Sequence, residues 1–99
     1  MISLDTEATG LDLRHGARPF MATIATESGK SLCYAWNVDP LTRKVKAAKS
    51  DLLDIQKRLD DEDIIVLQNA KFDYLGLRLL FEDNGLILRW NWRKYVIRC

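Results

Sequence analysis

Ile2-Ser3-Leu4-Asp5-Thr6-Glu7-Ala8-Thr9-Gly10 opens as an apolar strand and closes on two carboxylates and a glycine. Ile2 to Glu7 reads as a short strand, and Gly10 supplies the freedom for the turn that ends it. In a strand, residues two apart point the same way and lie about 6.5–7 Å apart along the backbone. Asp5 and Glu7 therefore project from one face. Two carboxylates that close repel each other and lose hydration where they are partly buried. A divalent cation between them removes both penalties, and hard oxygen ligands suit Mg²⁺ or Mn²⁺. A solvated strand end carrying two acids fits the same Asp-x-Glu pattern, so the pattern alone leaves both readings open.

Working outward, residues 11–19 contain Gly16 and Pro19 and read as loop. Phe20 to Thr26 and Ser31 to Trp36 read as strands joined by the turn Glu27-Ser28-Gly29-Lys30, with Asn37-Val38-Asp39-Pro40 ending the second. The period then changes. Val45, Ala48, Leu52, Ile55 and Leu59 fall on one helical face, with the regular part starting near Ser50. Asp51 and Asp54 precede Lys57 and Arg58, the charge order a helix dipole favours. The acidic run Asp60–Asp63 closes the helix, and Ile64 to Leu67 reads as a buried strand. A second helix opens at Asn69, with Leu75, Leu79 and Leu80 as its buried stripe and Asn84-Gly85 as its stop. A further strand fits Leu86 to Trp90. The order β-β-β-α-β-α predicts an antiparallel meander followed by a strand parallel to the first, a mixed α/β sheet.

Val66-Leu67-Gln68-Asn69-Ala70-Lys71-Phe72-Asp73 carries the second signal. Asn69 is placed to cap the helix. Asp73, one turn on, can face the sheet edge that the first strand reaches, where a third carboxylate would complete a metal-binding cluster. The plainer reading makes Asn69 only a cap and Asp73 an exposed acid favoured by the helix dipole.

Taken together, Asp5-Thr6-Glu7-Ala8-Thr9-Gly10-Leu11 and Gln68-Asn69-Ala70-Lys71-Phe72-Asp73 resemble the first two motifs of the DEDD 3′–5′ exonuclease superfamily. The second motif, with Gln before Asn, is most similar to the proofreading domain of family A DNA polymerases. The resemblance covers residues 1–88 and implies a ribonuclease H-like fold. It implies two-metal hydrolysis of phosphodiesters at single-stranded DNA 3′ ends. Asp5, Glu7 and Asp73 match the family's metal ligands and catalytic acids, with Mg²⁺ or Mn²⁺ as cofactor. Thr9 and Leu11 match positions that approach the terminal nucleotide, Leu11 as an apolar wedge. Asn69 and Phe72 match positions near the terminal sugar and base. Phe72 fits base stacking and core packing equally, and Lys71 fits either a phosphate contact or a solvated lysine. The implied partners are a single-stranded DNA 3′ end and a polymerase domain or chain.

The third family motif, Tyr-x-x-x-Asp or His-x-x-x-Asp, has no match. Glu82 and Asp83 have the wrong neighbours, and Tyr95 is followed four places on by Cys99. The lone histidine, His15, reads as a surface loop residue. Hydrolysis by this chain alone is therefore expected to be weak or absent, the domain reading as incomplete at its C-terminus. The segment Arg89 to Cys99 reads as an irregular tail. It suits either an aromatic-basic nucleic-acid arm or the truncated end of a longer polymerase. A non-catalytic nucleic-acid-binding or structural module that keeps the fold is the alternative function. A related nuclease acting on RNA is a third.

Composition narrows the classes further. At 99 residues the chain has room for one domain. A hydrophobic share of 47% argues against disorder. Fifteen basic residues against fourteen acidic ones exclude a polycation but not a local nucleic-acid site. Cys33 and Cys99 make neither a stapled scaffold nor a zinc spacing, so a reduced, cytoplasmic setting is expected. No apolar run is long enough to cross a membrane, and no secretory signal is visible.

Overall fold

Along β1 (Ile2–Ala8), Ile2 and Leu4 are buried while Ser3, Asp5 and Glu7 are exposed. One face of this strand thus carries the core and the other carries the acids. The computed structural model describes residues 1–97. β1 pairs antiparallel with β2 (Pro19–Thr26), which pairs antiparallel with β3 (Ser31–Ala35). A small hairpin follows, made of β4 (Asn37–Val38) and β5 (Val45–Lys46). Helix α1 (Lys49–Asp61) leads to β6 (Ile65–Leu67), parallel to β1. Helix α2 (Ala70–Asp83) leads to β7 (Tyr95–Ile97), parallel to β6. The main sheet runs β3-β2-β1-β6-β7, a mixed α/β sheet of ribonuclease H-like topology.

Both helices supply side chains to one core. Leu52, Ile55 and Leu59 of α1 and Leu77, Leu80 and Phe81 of α2 pack with Ile2, Leu4, Ala22, Ile24, Ile65 and Leu67 of the sheet. Trp36 donates its indole N–H to Asp51 at 3.0 Å, and Tyr34 donates its hydroxyl to Asp54, which ties β3 and the residue after it to α1. Among the described residues no helix covers the opposite face, where Ser3, Asp5 and Glu7 of β1 lie opposite Ala25, Thr23 and Met21 of β2. Among the described residues no helix is long and apolar enough to cross a membrane.

Four expectations need correction. Val45 and Ala48 lie outside α1. Asp39 accepts the amides of Leu41 and Thr42 through its carboxylate, at 2.8 and 3.1 Å. The turn so closed draws Val45 into a ladder with Val38. The buried stripe of α2 is Asp73, Gly76, Leu77, Leu80 and Phe81, with Leu75 and Leu79 only half-buried. The helix rolls to set Gly76 against Pro19, where a side chain would not fit. The left-handed turn after β1 belongs to Gly16, at φ 107°, and not to Gly10.

The fourth correction concerns the C-terminal segment. Leu86–Trp90 forms no strand, and the supposed irregular tail supplies β7 instead. Buried Gln56 holds this segment in place. It donates to the Arg89 carbonyl at 3.0 Å and accepts the Arg89 amide at 2.8 Å. Lys94 caps the end of α1 through the Asp60 carbonyl at 2.9 Å. Trp90 stacks on Tyr95 with ring centroids 4.0 Å apart, and Tyr74 and Trp92 complete the aromatic cluster. The Tyr95–Cys99 spacing ends on Cys99, which lies outside the described residues.

Candidate metal and nucleic-acid site

Asp5 and Glu7 stand side by side on the uncovered face of β1, cross-strand from Thr23 and Met21. A register irregularity between Glu7 and Ala8 ends the regular pairing there, a bulge of the kind that re-aims side chains at sheet ends. Two exposed carboxylates match what Mg²⁺ ordinarily takes from a protein, the remaining positions being water or substrate oxygens.

Asp73 reaches β1 at a different point. Its carboxylate accepts the Thr6 hydroxyl at 2.6 Å, and Thr6 faces the helix side of the pleat, out of phase with Asp5 and Glu7. The side chain is 1% exposed, and its second oxygen, Oδ2, has no hydrogen-bond partner. Burial pushes its pKa up from 3.8 to about 6; the Thr6 hydrogen bond opposes this, and the negative charge of Asp5 adds to it. Among the described residues no group of three acids, histidines or cysteines is close enough to hold a metal ion. Asp73 is thus buried against β1 behind the exposed pair, near enough for the charge of Asp5 to raise its pKa.

Leu11, Asn69 and Phe72, three residues singled out from sequence, line one open groove of about 420 Å³. Asp12, Leu13, Arg14, Lys71 and Leu75 complete its walls. One wall is the loop after β1 and the other is the first turns of α2. Asn69 occupies the N-cap position of α2 but makes no side-chain capping bond, so its amide is not consumed by the helix end. Leu11 is 89% exposed, which leaves its side chain open to a ligand.

Thr9 lies outside this groove. Its amide donates to the Arg18 carbonyl at 3.0 Å, and its hydroxyl accepts the Arg18 amide at 3.1 Å, closing the loop at its base. Thr9 lines a separate depression with Phe20, Val38 and Arg43. His15 is exposed and bonds only within the loop, its Nδ1 lying 2.6 Å from Asp12. That hydrogen bond holds the Asp12 carboxyl below its usual range. A larger cavity of about 690 Å³ is lined by Arg18, Lys44, Lys46 and Asp83, among others, and includes neither the acid pair nor the groove.

Arg18 is the organising residue that the sequence did not mark. It donates to the Leu13 and Ala17 carbonyls, both at 2.8 Å, and pairs with Asp83 of α2 at 2.8 Å. Its side chain is 17% exposed while that of Asp83 is 48% exposed, so the ion pair is worth less than the two carbonyl bonds. Arg18→Ala is expected to cost about 1–2 kcal/mol, chiefly by orphaning those carbonyls. Limited trypsin digestion checks this, since cleavage after Arg14 should accelerate as the loop loosens.

No family model matches the chain, and no curated protein does. Among solved structures it is similar to the family B DNA polymerase from the hyperthermophilic archaeon Pyrobaculum calidifontis. The identity is 21% and the TM-score 0.64, over 96% of this chain and 12% of the polymerase chain. The motif resemblance points to family A polymerases, whereas this structural likeness falls on a family B enzyme. The chain thus shares its α/β fold with a small part of a DNA polymerase, and at that identity the likeness is one of fold.

Proposed function

We propose that the chain is a DEDD-type 3′–5′ exonuclease domain of the polymerase-proofreading kind, acting on single-stranded DNA 3′ ends. The observation that carries this reading is one groove lined by Leu11, Asn69 and Phe72, with its loop wall running directly on from the strand that ends in Asp5 and Glu7. Asp5 and Glu7 would hold Mg²⁺ or Mn²⁺. A divalent cation held there supplies charge stabilisation to phosphoryl oxygens and lowers the pKa of a bound water. Leu11 and Phe72 present apolar surface to bases, and Asn69 presents an uncommitted amide to a sugar or base edge. Asp73 acts from behind the strand: protonated, it donates to or accepts from a neighbour, and ionised, it adds to the negative field at Asp5.

Asp5 and Glu7 offer two carboxylates, and no group of three ligands is present among the described residues. Hydrolysis by the 99-residue chain is accordingly expected to be weak. Incubation with single-stranded DNA and Mn²⁺ should give slow 3′-end shortening that Asp5→Ala abolishes. The reading also predicts that Mn²⁺ raises the melting temperature of the wild type and not of Asp5→Ala. If neither metal effect is seen, the site is not a metal centre.

A second reading is a non-catalytic nucleic-acid-binding module, favoured by the absence of a three-ligand cluster among the described residues. It predicts DNA binding in EDTA that survives Asp5→Ala and Glu7→Ala.

A further inference from the structure

The structure assigns Arg14, with Lys71 across the groove, as a cationic clamp for the phosphate backbone of a single strand whose bases lie on Leu11 and Phe72. Several independent features make this groove a built site. Arg14 sits in a short 3-10 turn, Leu13–His15, whose geometry is fixed from both sides. Leu13 is buried beneath it, and the Arg18 guanidinium grips the Leu13 and Ala17 carbonyls. Arg18 also ties the loop to α2 through Asp83, so the two groove walls are joined to one another. Pro19, where the loop enters β2, packs against Gly76, where an added Cβ would lie 2.9 Å from Pro19 Cγ. The walls are therefore held at a set separation before any ligand arrives, which reduces the ordering cost of binding.

Charge along the groove is arranged in the same sense. Asp12 is the one acid lining it, and both of its carboxylate oxygens are turned to His15, one to the backbone amide and one to Nδ1. Arg14 and Lys71 both line the groove, and among the described residues neither has an ion-pair or hydrogen-bond partner for its side-chain cation. Arg18, Arg58, Arg78 and Arg89 are paired with carboxylates, while other surface cations such as Lys44 and Lys46 have no ion pair among the described residues either; what sets Arg14 and Lys71 apart is that they flank the apolar floor of one groove. Two unpaired cations flanking an apolar floor complement a polyanion with stackable rings, and a single strand is the polymer that offers both. A duplex hides its base faces, so Leu11 and Phe72 would have nothing to meet.

This inference rests on the nuclease reading only in its choice of a nucleic-acid substrate, and its test is independent of hydrolysis. Binding of a labelled oligothymidylate to the full chain is followed by fluorescence anisotropy in EDTA. At about 50 mM salt, Arg14→Ala should bind about eightfold more weakly, and its log–log salt dependence should be shallower by about 0.7, the loss of one phosphate contact. Lys71→Glu should behave similarly or worse. Lys30→Glu, in the turn at the far end of the sheet, should change binding by less than about twofold. Arg14 is exposed and unpartnered, so circular dichroism should show the variant folded; Arg14→Glu gives a second substitution at the same position. The inference is overturned if Arg14→Ala and Arg14→Glu bind as Lys30→Glu does, or if the wild type does not bind the oligonucleotide. Mn²⁺-dependent hydrolysis with binding indifferent to Arg14 would sink the clamp and leave the nuclease standing. Arg14-dependent binding with neither Mn²⁺-dependent hydrolysis nor Mn²⁺-dependent thermal stabilisation would uphold the clamp and sink the nuclease.

Discussion

Asp73→Asn should stabilise the folded protein at pH 8 by about 2 kcal/mol and remove most of its pH dependence between pH 5 and pH 8. Asp73 is buried, with one oxygen held by Thr6 and the other without a partner, and its pKa is raised from 3.8 to about 6. A carboxyl whose pKa is higher folded than unfolded favours the native state in its protonated form. That contribution is complete below about pH 4 and is lost as pH rises through about 6, so stability falls with rising pH across this window. A folded pKa near 6 against 3.8 corresponds to about 3 kcal/mol in total, of which roughly half is lost between pH 5 and pH 8. Asparagine keeps an acceptor for the Thr6 hydroxyl and carries no charge, but leaves an amide N–H₂ in place of the orphaned oxygen, which offsets part of the gain. The depressed carboxyls of Asp12, Asp39 and Asp54 act in the opposite sense, losing their stabilisation only as pH falls below the ordinary carboxylate range. Urea denaturation of both proteins at pH 5 and pH 8 measures the effect. A wild type whose stability is level across that interval would show that Asp73 is ionised and satisfied.

Gly76→Val should be the most damaging single change in α2, costing about 3 kcal/mol or more, and Gly76→Ala should cost about 1–2 kcal/mol. Glycine inside a helix is ordinarily a defect, and alanine there gains up to about 1 kcal/mol from helix propensity. Here the gain is outweighed. An added Cβ would sit 2.9 Å from Pro19 Cγ and 3.3 Å from its Cδ, and a proline ring cannot rotate away. The helix must then move off the sheet, which pulls Asp73 from Thr6 and opens the groove between α2 and the loop after β1. Valine adds two more carbons and a rotamer restriction in the helix. Chemical denaturation gives the stability change. Loss of oligonucleotide binding by Gly76→Ala at a temperature where it remains folded would connect the packing to the groove.

The chain's secondary structure was legible where its period was strong. The alternation of Ile2 to Glu7, the glycine-containing turn at Glu27–Lys30, and the spacing of Leu52, Ile55 and Leu59 each correspond to an observed element. Legibility failed where a tertiary contact replaced a local rule. Leu75 and Leu79 look like a core stripe, but the buried positions of α2 include Asp73 and Gly76 because Thr6 and Pro19 are their neighbours. Neither contact is local: 67 residues separate Thr6 from Asp73, and Pro19 and Gly76 are likewise distant in sequence. Leu86 to Trp90 is apolar enough to suggest a strand. Gln56 instead takes up the Arg89 backbone with the two hydrogen bonds a neighbouring strand would otherwise have made.

By itself the order of residues determined that Asp5 and Glu7 share a face, because the pleat has a period of two and no later event can change it. It also brought out Leu11, Asn69 and Phe72, whose common groove follows once β1 and α2 are adjacent. Only the tertiary structure decided that Asp73 is buried against Thr6, since the roll of a helix on a sheet is set by packing volume at distant positions. The same holds for Arg18, which is one arginine among many in the sequence. It becomes the strap of the site only where the loop's carbonyls and Asp83 converge on it.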